Sequence, residues 1–201
     1  ISPKLNTEKL KEAGKLSDKI NRITRQISDS ISFYDIENNQ TIYFGDEIFT
    51  DENSSAVITL LPSHSKIRLL PKTLIKIEQQ NENTKLEIKN GQIKLLLQPK
   101  DNIALTKDKS ITQLKNQTTK TFDIDSYLSD GELVVSSNSD NLIVEHNKKI
   151  QKINRDESVS INYKSLTKNL LKLITPTNDQ KVSSEEPLKI EWETKHPTRI
   201  S

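Results

Sequence analysis

The sequence has no cysteine and no methionine, one tryptophan, and only four glycines in 201 residues. Without cysteine there is no disulfide scaffold, no thiolate zinc site and no cysteine nucleophile. With so little glycine there is no phosphate-cradling glycine loop, and no serine sits in a Gly-x-Ser-x-Gly elbow. Aromatics make up 4% and hydrophobics 32%, so a core has to be built from isoleucine and leucine in thin layers. No apolar run approaches the roughly 20 residues that span a bilayer, and no secretory signal is visible. With no methionine, Ile1 is not a translation start. The chain reads as a piece of a longer protein, and any signal or membrane segment is expected ahead of it.

A dominant charge is also missing. Thirty basic residues against 28 acidic ones leave a net charge of +2, too weak a field to steer nucleic acid or an anionic membrane. Lysines alternate with acids, and few aromatics are available to stack on bases, which excludes a nucleic-acid binder. Low net charge and abundant β-branched residues indicate a folded chain rather than a disordered one.

What is present is alternation. From Thr41 the apolar period is two. Ala56, Ile58 and Leu60 alternate with Val57, Thr59 and Leu61, the pattern of a strand buried on both faces. Ile67 and Leu69 alternate with Lys66 and Arg68, a half-exposed strand bounded by Pro62 and Pro71. Asn90-Gly91, flanked by alternating runs, predicts a two-residue hairpin with Ile88 facing Ile93, Leu86 facing Leu95 and Glu87 facing Lys94. Asp130-Gly131 predicts a second hairpin, with Leu128 facing Leu133 and Tyr127 facing Val134. The segments after Gly91 and Gly131 match in pattern, as two stacked units would. Further strands are expected at 142–145, 149–153 and 158–163, with turns at Asn147 and Asp156.

The two ends differ from this middle. Residues 1–19 are polar and lysine-rich and read as a tether or juxtamembrane segment. The spacing of Leu16, Ile20, Ile23, Ile27 and Ile31 fits a helix face, although the residues between them are poor helix formers; strand is the preferred reading after Ile20. Residues 166–180 read as a linker. In 181–201, Leu188, Ile190 and Trp192 alternate with charged residues, like the opening strand of an immunoglobulin-like or fibronectin-like module.

The run from Ile42 to Leu97, with Gly45-Asp46 through Thr50, then Ser54, Ser55 and Ala56, then Asn90-Gly91, resembles the FecR domain of bacteria. The resemblance covers about Ile20 to Tyr163. It implies an all-β extracytoplasmic module over 20–165, built of stacked hairpins in an elongated sandwich or solenoid-like arrangement, with a short polar or helical tether before it. The chain departs from the family at Lys115 to Thr121, where no glycine occurs. Family members named for iron-siderophore signalling relay a signal from an outer-membrane receptor to a sigma factor. Members that continue into immunoglobulin-like modules are envelope proteins.

The residues singled out are structural turns: Gly45, Asp46, Thr50, Asn90, Gly91, Asp130 and Gly131. No catalytic, cofactor or metal residue is expected. His64, His146 and His196 lack metal-site spacing and read as surface histidines. Asp123 with Asp125, and Asp46 with Asp51 and Glu52, read as solvated or turn carboxylates rather than calcium ligands. The sequons at Asn39, Asn53 and Asn116 carry no message in so asparagine-rich a chain. The expected function is a non-catalytic binding or scaffold module of the bacterial envelope, periplasmic or otherwise extracytoplasmic, that contacts an envelope protein or peptidoglycan. The alternative is the sensor ectodomain of a FecR-type transmembrane regulator. A membrane would be met only through a segment outside 1–201.

Overall fold

The protein is described from a computed structural model that places residues 10–28, 30–81, 83–107, 110–129, 131–162 and 166–169. Among these residues the chain is all-β. The first third contributes β1 (Glu12–Ile20), β2 (Ile23–Gln26), β3 (Phe33–Asp35), β4 (Thr41–Tyr43), β5 (Glu47–Thr50), β6 (Ser55–Leu60) and β7 (Lys66–Leu69). Then come β8 (Leu74–Gln80), β9 (Asn83–Asn90), β10 (Gln92–Leu97), β11 (Asn102–Lys107), β12 (Ser110–Lys115) and β13 (Phe122–Ser129). The last are β14 (Glu132–Ser137), β15 (Leu142–His146), β16 (Lys149–Ile153), β17 (Glu157–Ile161) and β18 (Leu166–Asn169). None of the described residues forms a helix long and apolar enough to cross a membrane.

The strands divide between two open sheets. Sheet I has the order β18-β17-β14-β13-β10-β7-β6-β1-β4, and sheet II the order β16-β15-β12-β11-β9-β8-β5-β2-β3. From β6 onward the chain lays down a hairpin in one sheet, crosses to the other, and lays down the next. Strand β10 is the exception. It visits sheet I alone, so β9 and β11 run in the same direction on either side of that visit and pair in parallel, with Leu86 opposite Leu105.

The period-two alternation then fills one core. In sheet I, Leu16, Ile58, Ile67, Leu95 and Ile124 form a cross-strand row. In sheet II, Ile77, Leu86 and Leu105 form another. All eight are fully buried and belong to one continuous cluster drawn from both sheets. Each contributes about 1.5–3 kcal/mol by leaving water, so the lack of aromatics is met by many medium-sized side chains in register.

Several expectations need correction. The tether assigned to 1–19 is wrong from Glu12 on: β1 is an interior strand of sheet I, between β4 and β6. The helical spacing from Leu16 to Ile31 spans strands of different sheets. Leu16 lies in β1 and Ile23 in β2, both fully buried, while Ile20 and Ile31 are 54% and 96% exposed. The hairpin at Asn90-Gly91 is also wrong. Strand β9 pairs with β8 and β11, and β10 pairs with β7 and β13, so Ile93 faces Leu69 and Ser126 while Leu95 faces Ile67 and Ile124. Gly91 marks a crossing between sheets, not a turn within one.

Other expectations match the structure. The hairpin between β13 and β14 has the expected register, Leu128 opposite Leu133 and Tyr127 opposite Val134. Strands β15, β16 and β17 fall where alternation put them, and Asn147 and Asp156 take positive φ between them. The two similar segments are β10 and β14, which flank β13 in sheet I. Strand β18 carries the sheet to Asn169, past the expected linker start at 166. The rest of that linker and the immunoglobulin-like strand at 181–201 lie outside the described residues.

Candidate functional site

Several of the polar side chains that the fold buries sit where the chain crosses between sheets. At the first such cluster, Asp46 is fully buried just after Gly45, whose φ is +99°. The backbone N–H of Tyr43 donates to Asp46 Oδ2 at 2.9 Å, and Arg25 Nη1 lies 3.4 Å from the same oxygen. Arg25 also donates to the Thr41 carbonyl at 2.6 Å and sits 5.9 Å from the centre of the Tyr43 ring. Burial pushes the Asp46 carboxyl above the ordinary aspartate value, against the opposing pull of the Tyr43 N–H and of Arg25. Asp46 Oδ1 is buried without a hydrogen-bond partner.

The second cluster brings Thr50, Asn90 and Gly91 together, although the sequence separates them by forty residues. Thr50 Oγ1 donates to the Leu70 carbonyl at 2.5 Å and accepts the Thr73 N–H at 2.9 Å. Thr73 Oγ1 in turn donates to the Gln92 carbonyl at 2.9 Å and accepts the Gln92 N–H at 3.1 Å. Asn90 Nδ2 donates to the Lys72 carbonyl at 3.0 Å. Thr73 is the hub, and sequence reasoning missed it. Its only sequence signal is a threonine two residues after Pro71 at the foot of a strand.

At the third cluster the side chain of Asn116 holds the glycine-free connection between β12 and β13. Asn116 Nδ2 lies 3.0 Å from the Leu97 carbonyl, 3.1 Å from that of Gln98 and 2.7 Å from that of Lys120. Its Oδ1 accepts from the N–H and hydroxyl of Thr118 at 3.0 and 2.9 Å. Beside it an open cleft of about 320 Å³ is lined by Lys100, Asp101, Asn102, Lys115, Asn116 and Gln117. Asp101 there accepts from the Ser65 hydroxyl and the Asn102 N–H, and Lys115 reaches Glu145 at 2.5 Å.

His146 was expected at the surface and is buried, a correction. It stands in the inward row of sheet II opposite Thr112. Its Nδ1 lies 3.2 Å from the Ile111 carbonyl and 3.0 Å from Thr112 Oγ1, and its Nε2 is 3.0 Å from the Asn147 amide. The ring fills a polar hole at the edge of the core. His196 and Asp130 lie outside the described residues. Gly131 has φ +82° and its carbonyl accepts from Lys107 Nζ. Among the described residues no three histidine, aspartate or glutamate side chains converge on a metal position. Asp51 and Glu52 have partners other than Asp46: Asp51 Oδ1 accepts the Glu52 N–H, and Glu52 pairs with Lys72 at 2.5 Å.

The outer faces of the two sheets differ in charge arrangement. On sheet II, Glu47 pairs with Lys89, Glu78 with Lys85 and Lys76, and Glu145 with Lys115. The hydrogen bond from Lys85 holds the Glu78 carboxyl below the ordinary glutamate value, with Lys76 adding to it against the effect of burial. On sheet I, Arg68 is directly opposite Lys94, a like-charge pair. One row there reads Lys15, Thr59, Lys66, Leu96, Asp123, and the next reads Ser17, Val57, Arg68, Lys94, Asp125.

No protein-family model matches the sequence, and no curated protein sequence matches it. Two crystal structures of a protein from Parabacteroides distasonis, described as a "putative anti-sigma factor", are similar at 15% and 14% identity, each with a TM-score of 0.46. Each match covers 61% of this chain and 58% of that one, less than two thirds of that protein's length.

Proposed function

We propose that this chain is a FecR-like, non-catalytic binding or scaffold module of a bacterial envelope protein, working outside the cytoplasm through contacts with an envelope protein or peptidoglycan. One observation carries the reading. The buried polar side chains Asp46, Thr50, Thr73 and Asn116 each bond to the backbone of a crossing, so the chemistry-bearing residues hold the scaffold together. What the scaffold offers a partner is broad sheet surface with exposed charge and an open cleft. Flat, charged surface suits macromolecular contact better than turnover of a small substrate, which calls for a concave, desolvated pocket.

The test is crosslinking of the full-length protein in its native cell, with captured species identified by mass spectrometry. A discrete set of envelope proteins, or cell-wall fragments, is the expected result. Capture of an outer-membrane receptor together with a sigma factor would replace the scaffold with a signalling ectodomain. Capture of neither class would remove the proposal.

A further inference from the structure

The outer face of sheet I is charged in stripes. On β7, Lys66 and Arg68 are exposed. On β13, Asp123 and Asp125 face the same way. Between them, β10 presents Lys94 and Leu96, and Leu96 is 41% exposed. Adjacent strands are about 4.8 Å apart, so Lys66 and Asp123 stand about 10 Å apart on either side of Leu96. Neither has an ion pair among the described residues; the nearest pair on this face is that of Lys94 with Asp125. The like-charge neighbours Arg68 and Lys94 are relieved only by Asp125, 3.3 Å from Lys94.

We infer that this face is the interface of a symmetric dimer with a second copy of the chain. In the row of Lys66, Leu96 and Asp123 the pattern is self-complementary about β10. A twofold axis lying in the interface and parallel to β10 turns β7 of one copy onto β13 of the other. It sets Lys66 over the partner's Asp123 and Arg68 over the partner's Asp125; at the axis Leu96 stacks on its own copy, and Lys94 meets its own copy between the two Asp125 carboxylates. The flanking strands agree. Strand β6, with Ser55 and Thr59 half-buried on the outer side, comes over β14, with Ser136 half-buried on the outer side, so neutral meets neutral. Two sheets stacked face to face lie about 10 Å apart, and this axis sets the two β10 strands parallel. A uniformly anionic surface suits the face less well, because Asp123 and Asp125 would repel it.

Sedimentation of the 201-residue chain at low salt tests this. The wild type forms a dimer that weakens as salt is added. Lys66→Glu and Asp123→Lys each place like charges across both symmetry-related contacts, and each weakens the dimer by more than about tenfold. An equimolar mixture of the two variants restores it, because both contacts in the mixed dimer are then of opposite sign. Leu96→Glu gives a monomer that neither variant rescues. All three side chains are on the outer face, and circular dichroism checks that each variant stays folded. A wild type that remains monomeric at high micromolar concentration overturns the inference, and so does a dimer indifferent to Lys66→Glu and Asp123→Lys. A monomer that instead binds vesicles of anionic lipid or heparin also overturns it, and assigns the face to an anionic partner.

Discussion

Gly91 and Gly131 have nearly the same backbone, with φ of +85° and +82°, and each immediately precedes a strand of sheet I. Their surroundings differ. A Cβ on Gly91 would lie 2.5 Å from Thr73 Oγ1, 2.6 Å from Thr73 Cα and 2.7 Å from the Lys72 carbonyl oxygen. A Cβ on Gly131 would meet only the tip of Lys107, at 3.6 Å. Gly131 turns a hairpin inside one sheet, in the open. Gly91 carries the chain from one sheet to the other, against the neighbouring crossing at Lys72 and Thr73. Within a sheet the turn only has to reverse direction. Between sheets, successive crossings stack on each other, and the polar side chains buried there hold them in place.

Alanine at the two glycines separates these roles. Left-handed backbone costs either alanine about 1–2 kcal/mol, and the overlap at position 91 adds about 1–3 kcal/mol of overpacking. Gly91→Ala is therefore expected to lower unfolding stability by about 2–5 kcal/mol in urea melts. Next comes Asn116→Ala, expected to cost about 1–3 kcal/mol because it takes a donor from the buried Leu97 carbonyl and the acceptor from the Thr118 N–H. Gly131→Ala should cost only the strain of about 1–2 kcal/mol. Equal losses at 91 and 131 would erase the distinction between the two glycines.

The smallest effect concerns pH at the Asp46 crossing. The folded-state acidity of Asp46 is weakened by burial, so its ionisation opposes folding. Its contribution to stability is full below the ordinary value of 3.8 and is lost as pH rises through the higher folded value. Asp46→Asn removes that titration, so the asparagine variant should gain on the wild type from about pH 3 to about pH 7. Glu78 has the opposite sign. Its contribution is present above the ordinary value of 4.5 and is lost as pH falls through the depressed folded value, so Glu78→Gln should lose ground over the same rise. Parallel stability profiles for wild type and Asp46→Asn would show that this crossing is not buried as described.

The alternation was enough to read β7 and β15 to β17, because strands with one buried face carry period two in their own residues, while β6, expected to be buried on both faces, leaves Thr59 half-buried and is followed by an exposed Leu61. The hairpin at Gly131 was legible for the same reason. The crossing at Gly91 was not. A positive-φ glycine reports local backbone geometry, and Ile88, Leu86, Ile93 and Leu95 are inward-facing in either arrangement, so a hairpin and a crossing look alike. Strand β1 was hidden by its composition: only Ala13, Gly14 and Leu16 are buried in a stretch otherwise rich in lysine and acid. Gly14 was the available signal, since a lone glycine inside a strand marks a close backbone approach, here to the Thr59 carbonyl. The striped face was out of reach, because Lys66, Leu96 and Asp123 become neighbours only through the non-consecutive order β7-β10-β13.

The most direct test of the crossing at Gly91 uses the absence of native cysteine. Two double variants are made, Arg68→Cys with Lys94→Cys, and Glu87→Cys with Lys94→Cys, and each is oxidised and analysed for an intramolecular bond by mass spectrometry. Opposed residues on paired antiparallel strands lie about 4.5–5.5 Å apart, within disulfide reach. Arg68 faces Lys94 across β7 and β10, so the first pair is expected to close rapidly and the second not at all. Closure of the Glu87 pair instead would mean that β9 and β10 form a hairpin, and the two-sheet crossing described here would be wrong.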